Sequence, residues 1–125
     1  MNFFSASCFS CKSKKVYISP EEKKKVNLII NTACKINEIE LSVLKKDTDR
    51  SVLSIRHQCF NLIKKNTELT PDKIASFFEM SRQGVCYGIE QAENQKKLYS
   101  NVLRSMNKII EKANEAALGE FVLVH

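Results

Sequence analysis

Apolar positions recur at steps of three and four along most of this chain, which is the signature of amphipathic helices. Ser19-Pro20-Glu21-Glu22 opens the first of them, with Ser19 as N-cap, Pro20 at the first helical position and Glu22 completing a capping box. Val26, Ile29, Ile30, Ala33 and Cys34 form its stripe, and the pattern predicts an end near residue 35. Residues 36–41 read as a short helix or turn buried through Leu41, Val43 and Leu44, followed by a polar loop from Lys45 to Arg50. A helix over 51–66 buries Val52, Ile55, Cys59, Leu62 and Ile63, with Arg56 and His57 near its start. Thr70-Pro71-Asp72 begins another, carrying Ile74, Ala75, Phe77 and Phe78. Met80 then marks a turn, and Ser81 caps a helix with Val85, Ile89 and Ala92 on its inner face. A long tail helix is predicted from about Gln95 to Ala117, lined by Leu98, Val102, Met106, Ile109 and Ala113. Residues 1–18 have no period and read as a flexible arm, and Phe121–Val124 reads as a short strand or extended tail. The expected architecture is all-α: an arm (1–18), a compact helical domain (19–94), and a C-terminal helix and tail (95–125).

Composition agrees with helices and adds a partner class. Only three Gly and two Pro in 125 residues leave few turn formers, while 43% apolar residues are enough for a core. The net charge is +6, and residues 41–70 hold six Lys or Arg against three acids. A basic middle suits a polyanion, although a solvated Lys-rich face gives the same count. Five scattered cysteines (Cys8, Cys11, Cys34, Cys59, Cys86), with no charged leader and long apolar run at the start, point to reduced thiols in a cytoplasmic setting. No apolar run approaches the roughly 20 residues that span a bilayer, so no membrane partner is expected.

Residues 70–92 fit a helix-turn-helix. That unit needs a small residue where its helices cross, and Ala75 is there. It needs apolar residues at Ile74, Phe78, Met80 and Val85, and all four are present. Glu79 occupies the place of the usual turn glycine. In such a unit the second helix enters the major groove of duplex DNA with its first turn facing base edges. The exposed residues there are Ser81, Arg82, Gln83, Cys86 and Tyr87. Arg suits guanine and Gln suits adenine by bidentate geometry. Ser81 and Thr70 are placed to bond phosphates, and Gly84 to permit close approach. Tyr87 reads either as a DNA-facing ring or as a partly buried core tyrosine.

The runs D-R-S-V-L-S-I-R-H-Q-C-F-N-L-I-K-K and L-T-P-D-K-I-A-S-F-F-E-M-S-R-Q-G-V-C-Y-G-I give residues 29–92, about half the chain, a resemblance to the C-terminal DNA-binding domain of the bacterial replication initiator DnaA. That resemblance implies a helix-turn-helix domain of the DnaA C-terminal or Trp-repressor kind. It places Lys45, Lys46 and Arg50 in the family's basic loop, and Arg56 at its backbone- or minor-groove-contacting arginine. Ser81, Arg82, Gln83 and Gly84 stand where the family has aspartate-histidine-threonine-threonine, so the bases read would differ. The family's nucleotide-binding part has no counterpart, because no G-x-x-x-x-G-K-[ST] run exists here. The expectation is a sequence-specific reader of double-stranded DNA, without ATPase activity, acting in replication or its control and associated with the nucleoid.

Two other readings stand beside it: a dimeric helix-turn-helix transcription regulator, and a basic protein-interaction module with no DNA role. The tail stripe from Leu98 to Ala113 either packs on the helix of Val26 and Ile30 or forms a homodimer seam. Cys8-x-x-Cys11 is only half of a zinc site, so no metal or cofactor is expected. His57 and Cys59, two apart on a helix, point in different directions and make no catalytic pair, so no enzyme is expected.

Overall fold

The structure, a computed structural model, describes residues 18–117, which form six helices and no strand. They are α1 (Pro20–Asn37), α2 (Leu41–Lys46), α3 (Arg50–Asn66), α4 (Pro71–Phe78), α5 (Arg82–Leu98) and α6 (Ser100–Ala117). The arm, with its Cys8 and Cys11, and the Phe121–Val124 ending lie outside the described residues.

The predicted starts follow from capping chemistry. The Ser19 hydroxyl accepts the Glu22 N–H at 3.2 Å. The Glu22 carboxylate accepts from the Ser19 hydroxyl (3.4 Å) and from the Glu68 N–H (3.0 Å), so it ties the start of α1 to the α3–α4 connection. Thr70 caps α4 through its backbone, with Pro71 at the first position and no side-chain cap bond. α1 runs on to Asn37, two residues past the expected end, and stops because Glu38 turns left-handed at φ 55°. The Ile39 N–H then reaches back to the Cys34 carbonyl at 3.0 Å, closing the last turn. The residues expected to bury a short helix at 36–41 are therefore divided. Ile36 belongs to α1, and of Leu41, Val43 and Leu44 only Leu44 is buried.

α3 is the centre of the bundle and touches each of the other five helices. Its buried residues run all the way from Val52 to Ile63, a wider arc than a single stripe, because neighbours cover it on several sides. Phe60 and Phe78 meet edge to face with ring centroids 4.8 Å apart and join α3 to α4. Each ring is fully buried, which contributes about 2–3 kcal/mol apiece. Burial pushes the thiols of Cys34 and Cys59 up in pKa, so both are unreactive packing groups.

The tail departs from expectation in one place. No continuous helix runs from residue 95; α5 ends at Leu98, Tyr99 is extended (φ −127°, ψ 116°), and α6 starts at Ser100. Leu98, expected on the buried stripe, is 73% exposed. Val102, Met106, Ile109, Ile110 and Ala113 are buried, and α6 packs on α1 and α5. These side chains are enclosed within the chain, not presented to a second copy. Among the described residues no helix is long and apolar enough to cross a membrane.

Candidate nucleic-acid interface

α4 and α5 meet across three residues. Glu79 ends α4 in the left-handed conformation (φ 55°, ψ 47°), and the Met80 N–H returns to the Ala75 carbonyl at 3.1 Å. Ser81 is extended, and its Oγ accepts the Gly84 N–H at 3.0 Å to start α5. The left-handed conformation costs a non-glycine residue about 1–2 kcal/mol. Glu79 carries it nonetheless, with its carboxylate 3.4 Å from Lys46 Nζ. Ala75, Ile74, Phe78 and Val85 fill the crossing as the spacing requires, and all are buried.

The first turn of α5 is open to solvent. Ser81, Arg82, Gln83, Cys86 and Tyr87 are exposed, and Tyr87 is 58% accessible. The ring of Tyr87 rests edge-on against His57 at 5.9 Å, so it is an outward-facing ring with a fixed base. Burial and the neighbouring Arg56 charge lower the pKa of His57, which favours the neutral imidazole. The Ser81 hydroxyl still has its own hydrogen to donate after capping. Arg82 Nε lies 3.6 Å from the Asp72 carboxylate, with both groups mostly in solvent, so that pairing is readily exchanged for another anion. Thr70 stands exposed at the start of α4, beside Pro71 and Asp72, with its hydroxyl not used in capping.

The basic segment lies against this turn but is not a loop. Lys45 and Lys46 are the last residues of α2, where they favour its dipole, and the connection to α3 is only residues 47–49. The Lys46–Glu79 pair sets the end of α2 beside the α4–α5 turn. Arg50 is the first residue of α3 and exposed, and it shares an open groove with Tyr87.

Arg56 differs from its expected role. It is only 7% exposed, its Nε donates to the Leu44 carbonyl at 2.6 Å, and its other end donates to the Asp47 carbonyl. Those carbonyls belong to the open end of α2, so Arg56 ties α2 and its connection onto α3. It positions the lysines rather than standing among them.

Two features of α5 have no counterpart in the sequence reading. At Gly88 a Cβ would lie 2.6 Å from Phe60 Cδ2 and 2.7 Å from His57 Cδ2, so this glycine sets the close approach of α5 to α3. Its spacing of four from Gly84 was the available signal. Further along, Glu93 accepts from Asn61 (3.0 Å) and Lys96 (3.1 Å), with Lys65 at 3.3 Å. The Asn61 hydrogen bond leads in holding the Glu93 carboxyl down to about 2, aided by Lys96 and Lys65 and opposed by burial. Asn61 Nδ2 also reaches the Ile89 carbonyl at 3.4 Å.

Among the described residues no group of three or more His, Cys, Asp or Glu is gathered to hold a metal ion. Comparison of the chain with protein-family models, curated proteins and solved structures finds no match.

Proposed function

We propose that the chain is a double-stranded DNA-binding protein in which α4 and α5 act as a helix-turn-helix. The observation that carries this reading is the open first turn of α5, held at a three-residue turn from α4 and flanked by Lys46. In this reading Arg82 and Gln83 face base edges in the major groove, with Tyr87 one turn further on. Ser81, Thr70, Lys45, Lys46 and Arg50 meet phosphates, and Gly84 keeps the helix near the groove wall. Arg56 serves indirectly, by fixing α2. The resemblance of residues 29–92 to the DnaA C-terminal domain makes replication or its control the favoured setting, with nucleoid association as the consequence.

Selection from random duplex DNA at physiological salt, followed by a salt titration on the winners, tests the reading. A motif bound at least about 10³-fold over random DNA is expected. A motif like an initiator box supports replication, and a palindrome supports a dimeric regulator. Uniform weak binding that disappears at moderate salt overturns specific reading in favour of bulk phosphate attraction.

A further inference from the structure

A second surface continues from the first along the same helix. Tyr87, Gln91, Gln95 and Tyr99 follow one another at steps of four from α5 into its C-cap, and all four line one open groove of about 770 Å³. The opposite wall is the first two turns of α3, including Arg50 and His57. Both tyrosines are more than half exposed, at 58% and 56%, and leave a large area of aromatic surface in solvent.

The chemistry of this groove is selective. Tyrosine rings at both ends offer faces on which a planar ring stacks. Gln91 and Gln95 each carry a donor and an acceptor in one plane, which is the complement of a base edge. The only formal charges on the lining are Asp49 and Arg50, which offset each other, so the groove favours a neutral ring over a bare anion. Its volume is in the range of small-ligand sites, while its open shape admits a continuing strand.

We infer that the groove between α3 and the Tyr87–Tyr99 stripe of α5 binds an unpaired nucleobase. The base is either free or carried by a single strand that adjoins the duplex site through their shared residue, Tyr87. The inference deepens the DNA-binding reading but does not depend on that reading for its own test.

The test uses the full chain and four probes: a blunt duplex, the same duplex with a short single-stranded extension, the single strand alone, and a free nucleoside. Affinity is followed by anisotropy, and occupancy by amide chemical-shift mapping. The extended duplex is expected to bind about tenfold more tightly than the blunt one, the effect of stacking one base. Tyr99→Ala is expected to abolish that difference and leave blunt-duplex binding unchanged, and Tyr99→Phe to keep it. Single strand and nucleoside shifting the same groove amides identifies the base as the recognised unit, and the single strand alone doing so assigns the site to a strand. Equal affinity for blunt and extended duplexes, with no groove shifts from either small probe, overturns the inference. Groove binding of the single strand with no binding of the blunt duplex upholds it and overturns the duplex reading instead.

Discussion

The two halves of α5 belong to one continuous helix and are used in opposite ways. Its first two turns turn one narrow face inward, through Val85, and leave Arg82, Gln83, Cys86 and Tyr87 in solvent. Its last two turns draw polar groups inward. Lys96, with a side chain only 7% exposed, reaches Glu93, and Glu93 is in turn held by Asn61 of α3. A buried charge with partners anchors a helix, and an exposed charge with a weak partner remains available for exchange. Gly88 is the pivot between the halves. Its missing side chain lets α5 lie against Phe60 and His57, and this contact holds the open end at a fixed height above α3.

The largest test of this division is Gly88→Leu. Ordinary helix propensity favours leucine by about 1 kcal/mol. The Cβ alone meets buried Phe60 at 2.6 Å, so overpacking is expected to win, with a net loss of about 3 kcal/mol in urea unfolding. A stabilised variant would show that Gly88 does not set the α3–α5 distance.

Arg82→Ala addresses the open half. It is expected to cost about 1–3 kcal/mol in binding to the selected DNA site, to relax base preference, and to leave the melting temperature in place. Lys46→Ala is expected to weaken all sequences about equally and to flatten the salt dependence. If the two variants behaved alike, α5 would be a phosphate contact and not a reader.

Much of this architecture is legible in the residues themselves, because caps, prolines and apolar spacing are local signals. Ser19, Pro20, Pro71 and Ser81 mark helix starts that the structure bears out to the residue. The features that escape are those decided by distant partners. The fate of Arg56 depends on the carbonyls of Leu44 and Asp47, which only the packing of α2 on α3 brings within reach. The break at Tyr99 is silent for a different reason. Leu98 and Val102 keep the helical spacing across it, no Gly or Pro intervenes, and the chain re-enters helix at once with the Val102 N–H bonded to the Tyr99 carbonyl at 3.2 Å. For the open turn of α5, sequence pattern names the residues, and the structure supplies what they rest on: His57 beneath Tyr87, and Asp72 beside Arg82.

Acid separates the anchored half from the rest. Glu93 is depressed to about 2 against an ordinary value of 4.5, chiefly by Asn61. Its contribution is therefore complete above pH 4.5 and fades as pH falls toward 2. Glu93→Gln is expected to lower stability by about 1 kcal/mol at neutral pH, since Lys96 then loses its charged partner. It is also expected to reduce the acid-dependent loss measured by unfolding between pH 5 and pH 2. A wild-type acid profile in the variant would place the anchor elsewhere.

Gly84→Ala is the smallest effect and the most direct contrast with Gly88. Here too a Cβ meets an atom closely, at 2.5 Å, but that atom is Cε of Met80, the end of a flexible side chain that is only half-buried. The other neighbour is the capping Ser81 Oγ at 3.3 Å, which needs a shift of a few tenths of an ångström. Helix propensity is expected to decide the sign, for a gain of about 0.5 kcal/mol in unfolding free energy. The same methyl group would stand on the turn proposed to face DNA, so the variant is expected to fold better and to bind the selected site less tightly. A loss of stability comparable to that at Gly88 would mean that the first turn of α5 is as tightly enclosed as its middle, and the distinction between an open and an anchored half would not hold.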